Sequence, residues 1–527
     1  MSSDDSPAGL AGGVEGGAAR PAASRLAEWA HAVAVGGLVL YAFFAPGSIA
    51  AAWIAISIAV CGWLARTLLT RRANLRRTPL DLPLWLLFAW TALSALLSAE
   101  PDISLRKLPA AATFLFFYIA LAIPRARREV TAVACAMIAG AGVCTLWGVA
   151  ELARGRGVLI NAVTTSSPYS GAVELQPGDC VWRVAGRRVN SVAEIDEALR
   201  LAPTGTRPAL SVIARGEHVE LEGPVVTEEV KAAPSPSGLV GAGRSRRFRV
   251  SGWTRHYETF AETLQIAAQL ALGFALAYWR RDSAGARRRA LLFLAAFALL
   301  AGGIALTAMR TTLVAAAAGA LVVAWRAMAA GAGTRLSTRR ARLAVAGVVV
   351  CVLSLGALAV WRTRPEGALR LRDDSSRLRL EVGRAALARV PSRPVFGHGA
   401  DAVRRHWAEW GFPGDVMVHT HSTPLQLAFD RGLPALAFWL WLLAAFWLTV
   451  TRAERLFRAG PDAPSHGLLL GAAGATAGFF ASSLVNYNFG DAEVALMLWW
   501  LMGSVATMVS GEQSAVSSEQ PVLGSRQ

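Results

Sequence analysis

The feature that most constrains this chain is a series of apolar stretches separated by short polar ones. A helix that crosses a bilayer needs about 20 mostly apolar residues. Stretches of roughly this kind, about twelve in all, lie at 29–44, 49–69, 82–97, 108–123, 130–152, 260–279, 290–309, 311–330, 343–361, 433–450, 468–484 and 494–509. The pattern predicts an all-α polytopic membrane protein of roughly 12 transmembrane helices.

The composition agrees with a membrane protein and argues against a nucleic-acid partner. The chain is 54% hydrophobic and 17% charged, which is too apolar for an ordinary soluble domain. Its net charge is +17, but the basic residues lie in short runs between the apolar stretches. We find no zinc-ligand spacing and no platform of alternating aromatic and basic residues beside them, so binding of nucleic acid is not expected.

The distribution of basic residues predicts the orientation in the membrane. Lys and Arg are retained on the cytoplasmic side, and every second loop is basic. Both termini are therefore predicted to be cytoplasmic, with 1–28 and 510–527 as disordered tails. The long polar stretches 153–259 and 362–424 would then face away from the cytoplasm.

These assignments divide the chain into successive segments. The predicted segments are membrane helices 1–5 (29–152), a folded insert (157–228), a linker (229–259), membrane helices 6–9 (260–361), an outer loop (362–432) and membrane helices 10–12 (433–509).

The insert is predicted to be a small α+β domain. Its pattern indicates a strand at 158–163, a Gln176-Pro177-Gly178-Asp179 turn, a strand at 180–184, a helix at 192–201 and a hairpin of 209–214 with 218–221, turned at Arg215-Gly216. The run LQPGD, followed by a Gly186 turn and this helix, resembles a PDZ domain of the bacterial type.

The PDZ resemblance implies a binding groove for an extended peptide of a partner protein. The groove would lie between the first strand, with Val158, Leu159 and Ile160, and the helix, with Val192 and Ile195. Such grooves capture peptides by strand addition. The alternative is a PDZ-like fold that serves only as a spacer or for packing within the chain.

A motif in the outer loop points to chemistry. His421-Ser422 is followed by nine residues, Gly432, two residues and Ala435. This resembles the O-antigen ligase superfamily, whose motif has a glycine at the last position. The runs "TAMRTT" around Arg310, "SSRLRLEVGRAAL" with Arg377, and "RVSG" from Arg249 also resemble family segments.

The resemblance implies a GT-C-like fold in the bacterial inner membrane and a glycosyltransferase function. Within the lipid membrane, such an enzyme moves a glycan from a polyprenyl pyrophosphate carrier to an acceptor hydroxyl on the periplasmic side. His421 would take the proton of the acceptor hydroxyl. Arg310 and Arg377 would hold the departing pyrophosphate, because guanidinium groups bind phosphate bidentately. His419, Ser422, Gly432 and Arg249 are candidate supporting residues, and neither cofactor nor metal is expected.

Several alternatives stay open at this stage. The acceptor could be lipid A core, the growing glycan or a protein Ser/Thr, as in a ligase, a polymerase or a protein O-oligosaccharyltransferase of the superfamily. His419 and His421 could instead bind zinc with Asp373 or Asp374, although no third ligand lies at a diagnostic spacing. A function of another class is a membrane scaffold without enzymatic activity, recruiting envelope proteins through the PDZ-like insert.

Overall fold

A computed structural model describes residues 22–165, 167–169, 175–214, 217–254, 256–329, 374–414, 416–417, 419–458, 460 and 462–519. The predicted span at 343–361 and the Arg215-Gly216 turn lie outside these residues.

Helices make up most of the described chain. They are α1 (Ala22–Phe44), α2 (Ile49–Thr70), α3 (Asp81–Leu97), α4 (Pro101–Ala111), α5 (Leu115–Ala122), α6 (Arg127–Arg154), α7 (Val192–Leu201), α8 (Glu228–Ala232), α9 (Tyr257–Trp279), α10 (Ala284–Leu306), α11 (Arg310–Ala329), α12 (Asp374–Arg389), α13 (Ala402–Arg405), α14 (Thr423–Phe457), α15 (Ala463–Ser483) and α16 (Ala492–Glu519). Short 3₁₀ helices occupy Ala112–Phe114, Val390–Ser392 and Asn488–Gly490.

Nine helical segments within the described ranges are long and apolar enough to cross a membrane. They comprise α1, α2, α4 with α5, α6, α9, α10, α11, α14 and the first part of α16. The multi-pass character is therefore confirmed, whereas the number of 12 spans stays a prediction. Helix α3 is apolar but shorter, and α15 is helical where a span was predicted at 468–484.

Both predicted disordered tails overlap helices at the end that joins the rest of the chain. Residues 22–28 already belong to α1, and residues 510–519 continue α16. Alanine-rich sequence favours the early start of α1. At the other end, each residue added to an existing helix gains a backbone hydrogen bond without a new nucleation cost.

Helix α9 lies at the centre of the helical bundle. Every residue from 259 to 278 is buried, as expected of a helix that is surrounded by others. Its closest neighbour is α15, where a Cβ atom added to Gly273 would lie 2.3 Å from the carbonyl oxygen of Gly467. Small residues at the contact thus let the two backbones approach each other.

The insert forms an antiparallel sheet with one main helix beside it. The strands are β1 (Val158–Val163), β2 (Cys180–Val184), β3 (Arg187–Arg188), β4 (Ala209–Ala214), β5 (Glu217–Glu222) and β6 (Leu239–Gly241). The sheet order is β5-β4-β2-β1-β6, with β3 paired to β2. Strands β1, β2 and β4 and helix α7 have the predicted bounds, and β5 extends one residue beyond the prediction at each end.

The pairing of β6 with β1 shows that the predicted position of the peptide groove is wrong. Strand β6 pairs with β1 in the register Ile160↔Gly241 and Val163↔Leu239, so β1 is an interior strand. Val158, Leu159 and Ile160 therefore have no free strand edge to offer a peptide. The edge next to α7 belongs to β6 instead, since these two elements contact each other.

The predicted linker at 229–259 is also structured over much of its length. It contains most of α8 and all of β6, and Phe248 and Val250 are each 1% exposed. Ser245 exchanges two backbone hydrogen bonds of 2.9 Å with Arg156. The sequence is rich in Gly, Ser and Pro here, but the outer edge of β1 offers backbone partners that this segment satisfies.

The outer region 374–432 is built from short helices that pack on α14. Helix α12 is followed by the 3₁₀ helix at Val390–Ser392, an irregular segment and α13. Helix α14 begins at Thr423, about ten residues before the predicted span, so the motif residues after Ser422 are helical. His421 lies directly at the entrance to this helix.

Candidate active site

A kink in α14 organises the candidate site. Gly432 has φ 82° and ψ 170°, and the chain is helical on both sides of it. Such a kink frees carbonyl groups that a straight helix bonds internally. Three donors satisfy them: the backbone N–H of His398 donates to Phe429 (2.8 Å), that of Gly399 to Asp430 (2.9 Å), and the Trp90 indole N–H to Arg431 (2.9 Å).

Two glycines permit the close approach of the loop to this kink. A Cβ atom on Gly432 would lie 1.9 Å from the carbonyl oxygen of Val395, and one on Gly397 would lie 2.4 Å from the carbonyl carbon of Asp430. Both contacts are far inside van der Waals distance, so only glycine fits at either position without a shift. Ala435, in the place of the second motif glycine, is fully buried. The motif residue Gly432 therefore positions the backbone rather than contacting a substrate.

His421 has a strained backbone. Its φ is 55°, in the left-handed region, which costs a non-glycine residue about 1–2 kcal/mol. The ring centroid lies 4.4 Å from that of His419, and Nε2 lies 3.2 Å from the sulfur of Met417. His419 in turn lies 5.8 Å from the Tyr487 ring. Strain of this kind clusters at functional sites, where the surrounding structure holds it in place.

The two histidines are neutral at physiological pH. Burial, His419 and Arg379 together lower the pKa of His421 to about 3. Burial also lowers the pKa of His419, where Arg379 acts in the same direction and Glu258 opposes it. Both imidazoles thus carry a free lone pair that can accept a proton.

Hydrogen bonds fix the segment around His421. The Thr420 N–H donates to Oε1 of Gln426 at 2.6 Å, and Nε2 of Gln426 donates to Oδ2 of Asp430 at 2.8 Å. Ser422 precedes the first residue of α14, and its carbonyl oxygen accepts from the Gln426 N–H at 2.8 Å. The hydroxyl of Ser422 makes no capping hydrogen bond, so its side chain is not committed to the helix end.

Three arginines form a cationic cluster beside the histidines: Arg249, Arg310 and Arg379. Arg249 is 6% exposed, and its guanidinium carbon lies 4.3 Å from the centroid of the Tyr257 ring. Burial lowers the pKa of Arg249, and the charges of Arg379 and Arg310 lower it further. Arg379 donates to Glu258 at 3.2 Å. Guanidinium groups bind anionic oxygens bidentately, so the cluster can hold an anionic ligand.

A chain of hydrogen bonds brings Arg310 to this place. Arg310 is the first residue of α11, and the next residue, Thr311, accepts a hydrogen bond of 3.1 Å from Nδ2 of Asn486. The carbonyl oxygen of Asn486 accepts from the Thr423 N–H at 3.0 Å, two residues after His421. Asn486 therefore ties the start of α11 to the start of α14.

The structure gives Arg379 the position that the sequence suggested for Arg377. The Arg377 side chain is 77% exposed and pairs with Glu381 at 2.9 Å. Arg379 shares a helix face with Val382 and Ala386, which are fully buried. Val382 and Ala386 follow Arg379 by three and seven residues, which places all three on one helix face. This spacing is the sequence signal that distinguishes Arg379 from Arg377.

No group of three His, Cys, Asp or Glu side chains within the described parts of the chain is placed to hold a metal ion. The zinc alternative involved Asp373 or Asp374 with His419 and His421. Residue 373 and the side chain of residue 374 lie outside the described part, so this alternative is not tested.

Comparisons with known proteins point to the same region. Residues 295–440 match the family model described as O-Antigen ligase, a segment that includes Arg310, Arg379, His421 and Gly432. This match supports an O-antigen ligase- or polymerase-like role in surface polysaccharide assembly.

A second similarity is shorter. The chain is 31% identical over 93 residues to the magnetosome formation protease MamE of Magnetospirillum gryphiswaldense. That alignment covers 18% of this chain and 11% of the relative, so the chain spans only about a tenth of the relative's length.

Proposed function

We propose that this chain is a glycosyltransferase of the bacterial inner membrane. It moves a glycan from a polyprenyl pyrophosphate carrier to an acceptor hydroxyl on the periplasmic side, in the manner of an O-antigen ligase. The observation that carries the proposal is the position of His421 beside the cationic cluster, within the segment that matches the O-Antigen ligase model.

The reaction needs one base and one site for the leaving group. The acceptor oxygen attacks the anomeric carbon, the bond between that carbon and the pyrophosphate oxygen breaks, and the acceptor proton passes to a base. The lipid pyrophosphate leaves with the bonding electrons. Since the sugar is already activated, no further cofactor is needed for this step.

His421 is the proposed base. Its low pKa keeps the imidazole unprotonated, and a bound pyrophosphate raises that pKa again because nearby negative charge favours the imidazolium form. The donor thus strengthens the base in the complex where the proton must be taken up. His419 contacts the His421 ring and orients it.

The cationic cluster is the proposed site for the pyrophosphate. Arg310 and Arg379 supply guanidinium groups that bind phosphate oxygens bidentately and keep their charge. Arg249, held against Tyr257 at the start of the membrane helix α9, contributes a third charge. With three fixed cations, the leaving group can be stabilised without a metal ion, so the proposed reaction is metal-independent.

A test in cells asks whether the chain acts on surface polysaccharide. Deleting the gene is expected to change the surface polysaccharide or glycoprotein profile, and the unmodified gene restores it. His421→Ala should not restore it, because loss of a general base costs about 100-fold or more in rate. His419→Ala should restore it in part. Equal restoration by both variants, at equal protein levels in the membrane, would remove His421 from the mechanism.

A second candidate function is recruitment of a protein by the insert, which the position of β6 favours. Strand β6 lies beside β1 as an added strand, and the Ser237 N–H just before it donates to Oδ1 of Asp196 on α7 at 2.8 Å, so a partner peptide would bind here by displacing β6. Because Arg156 and Ser245 are hydrogen-bonded, residues 157–244 can be removed and replaced by a short Gly/Ser linker. If the insert only recruits, this variant should keep transfer on purified substrates and lose it in cells. Full activity in cells would contradict recruitment.

A further inference from the structure

A group of arginines lies at the base of the insert, where its two connections meet the membrane helices. The three segments 153–156, 183–188 and 244–247 contain eight arginines and neither aspartate nor glutamate. Six of these arginines are exposed, and we call them the arginine collar: Arg154, Arg187, Arg188, Arg244, Arg246 and Arg247. Like charges on one surface repel each other, so an anionic partner stabilises them.

Packing brings the three segments of the collar together at one end of α6. A Cβ atom on Gly155 would lie 2.7 Å from the Cβ atom of Arg244, so these two segments touch. Nη1 of Arg188 lies 3.6 Å from Oε1 of Glu151, which belongs to the last turn of α6. Strand β3 is thereby placed beside the end of this helix.

The collar lies at the level where the membrane helices end. Helix α6 is a candidate span whose last residue is Arg154. The Val250 N–H donates to the carbonyl oxygen of Leu306 at 3.1 Å, and Leu306 is the last residue of another candidate span, α10. Residues 246–247 lie between this bond and the end of α6. Because a span ends where the hydrocarbon ends, the collar meets the head groups of the bilayer.

The base of the insert is fixed, but the charges of the collar stay accessible. Phe248 is 1% exposed and forms an apolar cluster with Cys180 and Ile213, on which Leu152 of α6 packs. Glu151 also pairs with the buried Arg156, so its charge has a partner apart from Arg188. The side chain of Arg188 is 60% exposed in spite of its contact with Glu151. The arginines therefore have defined positions and can still reach an external ligand.

Membrane topology does not explain these arginines. Basic residues close to the end of a span usually mark the cytoplasmic side, but the insert is predicted to lie on the opposite side. Guanidinium groups bind phosphate oxygens, so phospholipids with a net negative charge can supply the counter-charge. The arginines are distributed over three segments around the end of α6, which suits several singly charged head groups better than one pyrophosphate.

We propose that the arginine collar binds anionic phospholipids of the surrounding bilayer and holds the insert against the membrane surface. The ligand is the phosphodiester of a lipid such as phosphatidylglycerol. This site is separate from His421 and the cationic cluster, and its occupancy does not depend on glycosyl transfer.

The test compares two photoreactive lipids that differ only in their head group. The full chain is reconstituted in nanodiscs that contain both phosphatidylcholine and phosphatidylglycerol. One of the two lipids carries a diazirine beside the head group, at the same trace amount in each case, and labelled peptides are identified by mass spectrometry. We expect phosphatidylglycerol to label segments 183–188 and 244–247 at least about tenfold more than phosphatidylcholine, because each arginine near an anionic surface adds to binding. Added salt should reduce this ratio by screening exposed charges.

A matched pair of variants sharpens the test. Arg187→Gln combined with Arg188→Gln removes two charges from the collar and should lower the labelling ratio at segment 244–247 at least about fivefold. Arg207→Gln combined with Arg377→Gln removes two charges from exposed arginines outside the collar and should leave the ratio unchanged.

Three outcomes would overturn the proposal. Equal labelling by the two lipids in the unmodified chain would mean that the collar is only a solvated surface. An unchanged preference for phosphatidylglycerol in the Arg187→Gln, Arg188→Gln variant would place the lipid elsewhere. Loss of labelling on addition of a trace of undecaprenyl pyrophosphate would assign the collar to the carrier lipid. The comparison on the unmodified chain, with its salt dependence, decides the question even if the variant does not insert.

Discussion

His421 combines a strained backbone with a strongly lowered pKa, and both arise from its surroundings. The residue enters α14 in the left-handed conformation, and burial beside His419 and Arg379 removes its proton. An isolated histidine titrates near pH 6.5. In the free protein His421 is therefore already in its basic form throughout the physiological range.

This predicts an unusual pH dependence. The ratio kcat/KM reports the free enzyme, whereas kcat reports the complex with substrate. Because the base form of His421 is lost only near pH 3, kcat/KM should be flat from about pH 8 to about pH 5. In kcat the acid limb should lie at higher pH, since the bound pyrophosphate raises the pKa. A tenfold fall of kcat/KM per pH unit below about pH 6.5 would show an unperturbed histidine instead.

The arginines of α12 offer a matched pair. Arg379 faces the histidines and Arg377 faces solvent. Arg379→Ala should raise the KM for the lipid pyrophosphate donor by at least about tenfold, because a charge-assisted contact is lost. Arg377→Ala should change it by less than about twofold, since its exposed pair with Glu381 is worth little. Donor titrations with both variants would reject the assignment if Arg377→Ala had the larger effect.

The arginine that faces the site could have been predicted from helical spacing, but the cluster as a whole could not. Arg249, Arg310 and Arg379 lie on three segments far apart in sequence, and their meeting depends on hydrogen bonds such as that between Asn486 and Thr311. His421 was predictable because its motif is local. Asp430 lies inside the same motif, but only the structure shows that its Oδ1 is buried without a hydrogen-bond partner among the described residues.

At the scale of elements, the kink of α14 depends on Gly432 and Gly397, which let the helix and the preceding loop pack closely. Gly432→Ala places a Cβ atom 1.9 Å from the Val395 carbonyl oxygen at a φ of 82°. We expect a loss of at least about 2 kcal/mol in unfolding free energy, seen as a lower midpoint of thermal unfolding. Gly383→Ala on α12 is the control, since its nearest neighbour would be 3.9 Å away. A neutral Gly432→Ala would show that the loop does not pack on the kink.

Strand β6 shows why composition misled the linker prediction. A run of Gly, Ser and Pro is typical of a flexible connection. Three residues are too few to show the alternation of a strand, and their pairing partner lies about 80 residues earlier in sequence. The elements with longer patterns, β1, β2, β4 and α7, were predicted with the observed bounds.

Neighbouring residues of β6 provide the test of this correction. Leu239 is 4% exposed within the core of the insert, whereas Val240 is 51% exposed. Leu239→Ala should destabilise the insert by about 2–4 kcal/mol, and Val240→Ala by less than about 1 kcal/mol. Hydrogen exchange of the β1 amides measures the difference. Unchanged protection of the β1 amides in Leu239→Ala would instead support the predicted linker without a paired strand.

At the scale of the whole molecule, α14 links the candidate site to a cavity of about 740 Å³. The first residues of α14 follow His421, and Gln426 and Asp430 of the same helix line the cavity together with Tyr487, whose ring centroid lies 5.8 Å from that of His419. The central helix α9 and its glycine contact with α15 hold the bundle that carries both.

The central claim is that His421 and the cationic cluster transfer a glycan without a metal. The direct measurement is transfer from a purified, radiolabelled undecaprenyl pyrophosphate glycan by the full chain in nanodiscs containing acceptor lipids extracted from the same membrane, with excess chelator present. We predict that transfer persists in chelator and falls about 100-fold or more in His421→Ala. Transfer that stops in chelator and returns with a divalent ion, or that is unchanged in His421→Ala, would contradict the account.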